Sequence, residues 1–193
     1  MPIEDIGPRP KSLPREERAM AHVVESIVPD DFELPRVFET NQYRIRPLVV
    51  DDVVKDYEAI ATNLDRLDRL MGPDYTEPDD LSFHQDFLDV AWHHKEFQRR
   101  SSFAYGVWRL DESEGIGGVY VYPPDRGHFY APPKPGFDAV VFLWTTQKAA
   151  TEGLDDHLFQ TVKRWIADVW PFDAVGFPGR EPTWEEWEKL PSS

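Results

Sequence analysis

One polar loop of this chain lies where an α/β protein could bind an anion. Residues 139–144 are apolar on both faces, as expected of a central strand, and residues 145–153 interrupt that apolar run. An amphipathic helix follows over residues 154–170, and a second short strand is predicted at residues 173–177. A strand that leads into a helix directs backbone N–H groups at one point, where such proteins hold phosphates. The pattern suggests that the chain binds a nucleotide-like cofactor, although the loop lacks most of the glycines that would establish such a site.

The apolar positions of this helix form one stripe. We expect the two flanking strands to be parallel neighbours, because a helix that joins them makes a right-handed crossover. The residues expected to be buried are Leu158, Val162, Trp165, Ile166 and Val169, and those expected to face water are Lys163, Arg164 and Asp168.

Other kinds of reactive centre are not indicated. Four of the six histidines, His84, His93, His94 and His157, lack the spacing of metal ligands, and no metal site is expected. The chain contains neither the Gly-x-Ser-x-Gly pattern of a serine nucleophile nor a Gly-x-x-x-x-Gly-Lys loop for a nucleoside triphosphate. Cysteine is absent, which excludes disulfides, thiolate nucleophiles and zinc–thiolate sites.

The composition limits the partners. The chain has 36 acidic and 21 basic residues, a formal charge of −15, which argues against nucleic acid and anionic membrane surfaces. This charge would attract cationic amines, or it is simply a solvated surface that aids solubility. No apolar run approaches the roughly 18 residues of a membrane span, and the N-terminus does not resemble a secretory signal. We therefore expect a soluble, cytoplasmic protein.

The remaining elements suggest one domain with short additions at both ends. We predict a loose tail and one helix within residues 1–37, a main domain over residues 38–180, and a tail with a short helix over residues 181–193. Residues 102–122 read as a β-hairpin. The helix predicted to begin at Asp79 or Asp80 has an apolar face formed by Phe83, Phe87, Leu88, Ala91 and Trp92. The fold class is α/β: a mixed sheet with helices on both faces.

This order of elements resembles that of the GNAT-type N-acetyltransferase superfamily, which transfers acyl groups from acetyl-coenzyme A. The likeness covers about residues 42–180. Tyr43-Arg-Ile-Arg-Pro-Leu48 resembles the family's first strand, Gly115-Ile-Gly-Gly-Val-Tyr-Val121 its third, and residues 139–167 the cofactor-binding motif. The resemblance implies acetyl-CoA as a co-substrate and a small-molecule amine as the acceptor, and it is compatible with a homodimer.

The resemblance also implies a set of cofactor-binding residues. The family wraps the pyrophosphate with a loop of pattern Gln/Arg-x-x-Gly-x-Gly/Ala, which matches residues 147–152 here. In this loop Ala150 replaces the first glycine, Glu152 stands where glycine or alanine is expected, and Gly153 comes one place late. The positions matched to the cofactor are Trp144, Thr145, Gln147, Lys148, Ala150 and Gly153.

The departure of Glu152 from the family's loop pattern has an electrostatic consequence. A carboxylate about 4 Å from a phosphate charge costs roughly 4 kcal/mol at an effective dielectric of about 20. A helix N-terminus stabilises an anion by only about 0.3–1 kcal/mol. An inward Glu152 would therefore prevent pyrophosphate binding, whereas an outward Glu152 would leave Lys148 to compensate.

Two residues are candidates for proton transfer. The family's base is often a glutamate near the start of the fourth strand, and Asp138 is the nearest acid here; its alternative role is that of a strand-end acid. Tyr130, in the proline-rich segment 123–136, is the candidate acid, with packing as its alternative. Two functions remain open at this point: an acyl-CoA-dependent N-acyltransferase, or a catalytically silent domain of the same fold that binds a ligand or partner.

Overall fold

A computed structural model describes residues 25–72, 81–124 and 134–191. Six strands form one sheet in chain order: β1 (Phe38–Glu39), β2 (Arg44–Pro47), β3 (Phe103–Trp108), β4 (Gly115–Tyr122), β5 (Ala139–Thr145) and β6 (Val175–Gly176). Neighbouring strands are antiparallel except for β5 and β6, which are parallel. The described helices are α1 (Val53–Ala61), α2 (Leu64–Leu70), α3 (Phe83–Arg99), α4 (Gln147–Thr151), α5 (Leu154–Val169) and α6 (Trp184–Lys189), and a 3-10 turn at Val50–Asp52 precedes α1.

The predicted mixed sheet with helices on both faces is confirmed. On one face α5 packs its apolar stripe against residues such as Tyr43, Tyr105 and Val119. On the other face α1, α2 and α3 cover a second core that includes Trp108 and Trp144. Because successive residues of a strand point to opposite faces, the continuously buried strands β3, β4 and β5 supply both cores.

The prediction for α5 is confirmed with one exception. The helix joins the parallel strands β5 and β6, Leu158, Val162, Trp165 and Ile166 are buried, and Lys163, Arg164 and Asp168 are exposed. Val169, predicted to be buried, is 46% exposed. It is the last residue of the helix, and Trp170 fills the adjacent core position instead.

The apolar face predicted for α3 is wrong. Phe83, Phe87, Leu88 and Trp92 are 37–54% exposed, and the helix instead buries residues of its other face. The buried positions are Asp86, Val90, His93, Glu96 and Phe97. Ser82 caps the helix in a capping box with Gln85, and Asp79 and Asp80 lie outside the described residues.

The described part of the N-terminal end differs from its prediction, whereas the C-terminal end agrees with it. Most of the helix predicted near the N-terminus lies outside the described residues, and residues 25–28 are not helical. The short C-terminal helix is confirmed as α6, which begins with a capping box between Thr183 and Glu186. Within the described part of the chain, no helix is long and apolar enough to cross a membrane.

Candidate functional site

The two parallel strands separate soon after they meet. β6 pairs with β5 only through Ala139↔Val175 and Val140↔Gly176, while β5 continues to Thr145. In the described residues, the outer edge of β5 from residue 141 to 145 therefore has no partner strand. We call this stretch the open edge of β5. It leads directly to the loop that precedes α5, and its residues are 1–4% exposed.

The loop matched to the pyrophosphate forms the short helix α4. Thr146 is its N-cap, and its side chain accepts a hydrogen bond from the N–H of Ala149. The N–H groups of Ala150, Glu152 and Gly153 donate to carbonyls within the same segment. Most of the N–H groups that could surround an anion are therefore already satisfied inside the loop.

Asn63, in the turn between α1 and α2, binds the first residue of α4. Its Oδ1 accepts a hydrogen bond from the N–H of Gln147 at 2.6 Å, and its Nδ2 donates to the carbonyl of Ala59 at 2.7 Å. The side chain is buried, with the residue 8% exposed. An oxygen from another element thus occupies the acceptor position in front of the Gln147 N–H.

Glu152 points away from the loop. Its carboxylate pairs with Arg109 on the far side of α4, at 2.7 Å, and the side chain is 41% exposed. A hydrogen bond from Arg109 lowers the pKa of Glu152, so it stays ionised in this outward position. Lys148 is not placed to compensate a phosphate charge either, because it binds Glu114 at 2.9 Å.

A carboxylate with two arginines lies at the end of the open edge. Asp155, in the first turn of α5, accepts hydrogen bonds from Arg180 at 2.5 Å, from the Thr145 hydroxyl at 2.7 Å and from Arg66 at 2.8 Å. Arg66 also donates from Nε to the Thr145 carbonyl at 2.7 Å. We call these four residues the Asp155 cluster.

The electrostatics of the Asp155 cluster favour an ionised carboxylate. Burial raises the pKa of Asp155, but hydrogen bonds from Arg180 and Thr145 outweigh it and bring the pKa below its usual value. One carboxylate between two guanidinium groups leaves the cluster with an excess positive charge. Beside it, Arg66, Arg69, Asn63 and Gln147 line an open cavity of about 400 Å³.

Trp144 and Asp138 lie away from this cluster. Trp144 is buried beneath the helices of the α1–α3 face, where its indole N–H donates to the Tyr120 hydroxyl at 3.3 Å. Asp138 is exposed, and its carboxylate accepts hydrogen bonds from the N–H groups of Asp173 and Ala174, both at 2.8 Å. These bonds hold the start of β6 beside β5, which favours the strand-end role for Asp138 over that of a base. Tyr130 lies outside the described residues.

The remaining predicted residues are spread around the loop. Thr145 is buried and belongs to the Asp155 cluster, whereas Ala150 is half-buried in α4. Gly153 precedes α5 with a φ of 81°, a left-handed conformation that suits glycine and turns the chain from α4 into α5. In the residues described, no group of three or more histidines and acids could hold a metal ion.

Sequence analysis missed three of the residues that shape this region. Asn63 is 84 positions from its partner Gln147, Arg66 is 79 positions from Thr145, and Arg180 is 25 positions from Asp155. No local pattern encodes these contacts, because each is made through tertiary structure. Asp155 was visible as an acid in a first helical turn, where the helix dipole already explains it. The cluster could have been predicted only from the knowledge that α2 and the turn after β6 both lie beside the first turn of α5.

Solved structures with the same architecture exist. The structure is similar to the ribosomal-protein-S5-alanine acetyltransferase of Vibrio fischeri, with 15% identity, a TM-score of 0.52, and coverage of 68% of this chain and 67% of that one. It is also similar to a Vibrio cholerae protein assigned as a ribosomal-protein-serine acetyltransferase, with 12% identity, a TM-score of 0.50, and coverage of 72% and 67%. The chain has the GNAT acyl-CoA N-acyltransferase fold.

At 12–15% identity these similarities concern the fold. No protein-family model matches the chain, and no curated protein matches it. The predicted fold class and the resemblance to GNAT acetyltransferases are thereby confirmed at the level of structure.

Proposed function

We propose that this chain is an N-acyltransferase that takes its acyl group from an acyl-CoA, with acetyl-CoA as the donor to test and a small amine as the acceptor. The observation that supports this most is the open edge of β5. This edge, which has no partner strand, ends beside the cavity lined by Arg66 and Arg69, so a pantetheine arm could add along the strand while its phosphates meet two arginines. The outward position of Glu152 removes the repulsion that its charge would otherwise cause.

The fit of the loop to a pyrophosphate is partial. The N–H groups inside α4 are satisfied within the segment, and the Gln147 N–H is taken by Asn63. We therefore assign the phosphates to the arginine side chains of α2 rather than to a backbone cradle. Bound acyl-CoA would supply the thioester carbonyl, and the open edge of β5 would orient it.

A catalytically silent domain is the second candidate. It is favoured by the same satisfied donors and by Arg66, which already occupies the carbonyl of Thr145 at the end of the open edge. In that case the Asp155 cluster closes the region permanently, and the fold serves for binding a ligand or partner without chemistry.

Arg69→Gln separates the two candidates. For the wild type under the acyltransferase proposal, acetyl-CoA at about a hundredfold excess over its Kd stabilises the fold by roughly 2.7 kcal/mol. Calorimetry should show Arg69→Gln binding more weakly and with a smaller dependence on salt, because one phosphate contact is lost. Arg99→Gln, at the exposed end of α3, is the matched control and should bind like the wild type. Neither heat nor thermal shift with wild type at millimolar acetyl-CoA would favour the silent domain.

A further inference from the structure

Helix α3 is buried on the opposite face from the one its apolar residues predict. It turns Leu88 and Trp92 to solvent, 54% and 53% exposed, while Asp86 and Glu96 are only 2% and 3% exposed. This reverses the usual distribution of apolar and charged side chains between surface and interior, and Glu96 is buried with a hydrogen bond from the Ser102 hydroxyl at 2.6 Å. Such departures from hydrophobic patterning concentrate at functional sites, where a polar group is retained for what it does.

His93 lies in the middle of this buried polar face. It is 8% exposed, and its Nδ1 is fully buried without a hydrogen-bond partner, which is uncommon for a buried polar atom. Its Nε2 lies 3.4 Å from the carboxylate of Asp89, one turn earlier on the same helix. In the tautomer whose Nε2–H is directed at this carboxylate, Nδ1 is the acceptor of the neutral ring.

Aromatic rings of β4 face this imidazole. The His93 ring lies 5.3 Å from that of Tyr120 and 6.5 Å from that of Tyr122, and the two tyrosine rings stack at 6.0 Å with an angle of 4° between their planes. Asp86 and Glu96 are seven residues before and three residues after His93, so all three side chains leave the same face of the helix.

We infer that the buried face of α3 against β4 is an amine-binding site, in which Nδ1 of His93 accepts a proton from a cationic primary amine. An alkylammonium suits each part of this environment. Aromatic rings attract a cation that comes within about 6 Å of their centres, and carboxylates on the same helix face add to that attraction. The formal charge of −15 draws cations toward the protein from a distance.

The site lies at the level where β5 and β6 separate. Tyr120 is directly opposite Phe142 on β5, two residues beyond Val140, the last residue that pairs with β6. Directly opposed residues of antiparallel strands project on the same face, and neighbouring strands are about 4.8 Å apart. An amine held beside His93 would therefore be within reach of the open edge of β5.

The assignment of this amine site as the acceptor site of the acyltransferase rests on the proposed function. The ammonium gives one proton to Nδ1 of His93, and the free amine then forms a C–N bond to the thioester carbonyl carbon. The C–S bond breaks, the coenzyme A thiolate takes the second nitrogen proton, the third stays on the amide, and His93 returns its proton to solvent. His93 thus acts as general base, for which losses of about 100-fold to 10,000-fold are typical on removal.

Several other ionisable groups face this region. Asp89 is on α3 itself, Tyr120 and Tyr122 are on β4, and Asp52 and Asp56 belong to the 3-10 turn and α1, which pack against α3. Asp52 is already paired with Arg46 at 2.7 Å. The experiment must therefore observe the imidazole directly rather than a pH dependence of stability.

The first measurement uses 1,4-diaminobutane as the probe and the histidine ring signals of the 193-residue chain as the readout. At fixed pH, the His93 signal should shift saturably with added diamine while that of His94 stays in place. His94 is a matched control because it is the next residue, points elsewhere and contacts Gln98 at 3.4 Å. No shift at His93, or equal shifts at both histidines, would overturn the inference, and backbone assignment identifies both signals without any variant.

The second measurement compares His93→Gln with His94→Gln in acetyl transfer from acetyl-CoA to the diamine. His93→Gln should lower kcat at least 100-fold with the KM for acetyl-CoA unchanged, and His94→Gln should match the wild type. An active wild type with an equally active His93→Gln would refute the inference and leave the proposed function standing. A saturable shift at His93 in a protein that neither binds acetyl-CoA nor transfers acetyl would instead refute the proposed function and keep the amine site.

Discussion

Asn63 joins two turns through both ends of one amide group. Its Nδ2 bonds the carbonyl of Ala59 at the end of α1, and its Oδ1 bonds the N–H of Gln147 at the start of α4. The oxygen stands where an oxygen of a ligand would have to be to reach the same N–H. Asn63 is therefore both a stabilising contact and a competitor for that donor.

Asn63→Ala should destabilise the fold by about 1–3 kcal/mol, because it leaves the buried Ala59 carbonyl and the partly buried Gln147 N–H without their side-chain partner. Urea unfolding measures this free energy. Thr151→Ala is the control: this exposed α4 hydroxyl bonds only the Gln147 carbonyl, at 2.9 Å, and its loss should stay within about 0.5 kcal/mol. Equal losses in the two variants would show that Asn63 does not hold the loop.

At the scale of elements, the Asp155 cluster is the point where α2, β5, α5 and the turn after β6 meet. Arg66 comes from α2, Thr145 from the end of β5, and Arg180 from the turn. The strands β5 and β6 diverge toward this end, so these charged contacts replace the backbone ladder that would otherwise close the sheet. Removing the carboxylate would leave two guanidinium groups facing each other.

Asp155→Asn should cost up to about 3 kcal/mol at pH 7, the lower end of the range for breaking a buried ion pair, since this side chain is still 17% exposed. Because its pKa is lowered on folding, this contribution is fully present above the unfolded pKa of about 3.9 and is lost as the pH falls below it. The difference between wild type and Asp155→Asn, measured by urea unfolding, should therefore shrink below about pH 4. Asp156→Asn, at the exposed neighbouring position, should show neither effect.

The stripe of α5 provides a second test at this scale. Trp165 is 4% exposed and packs on Phe38, Tyr105 and Trp170, so Trp165→Ala should cost about 3–5 kcal/mol. Val169, also on the predicted stripe, is exposed, and Val169→Ala should stay within about 0.5 kcal/mol. If chemical denaturation showed similar losses in the free energy of unfolding for Trp165→Ala and Val169→Ala, the buried face of α5 would have to include Val169.

A structural feature could be predicted from the sequence where contiguous residues encode it. The period of α5 and the apolar run of β5 are properties of contiguous residues, and both elements and their parallel join were predicted correctly. For α3 the helical period of the apolar residues was clear, but the face predicted to be buried was wrong, because the rule that apolar residues face inward fails on this helix. Asn63, Arg66 and Arg180 meet the loop from distant positions, and no pattern within the chain indicates those contacts.

At the scale of the whole molecule, short-range attraction and long-range repulsion oppose each other. The charge of −15 repels itself across the surface, whereas the ion pairs are close: Arg46 lies 2.7 Å from Asp52 and 2.9 Å from Glu112. Hydrogen bonds from Arg46 and Arg44 lower the pKa of Glu112 to about 2, so these pairs stay charged at neutral pH. Salt therefore weakens both the long-range repulsion between like charges and the short-range attraction within the ion pairs, and these two contributions to stability have opposite signs.

Screening reduces interactions beyond a Debye length of about 8–10 Å at ordinary ionic strength, and it affects close, partly buried pairs much less. Raising the salt concentration from about 10 mM to about 150 mM should therefore weaken the self-repulsion more than the ion pairs. We expect the Tm to rise over this range, and sodium chloride in a thermal scan at constant pH tests it. Arg46→Gln, which removes one pair of contacts and makes the net charge more negative, should show a larger rise than the wild type. A Tm that falls with salt in the wild type would mean that the ion pairs contribute more to stability than the repulsion takes away.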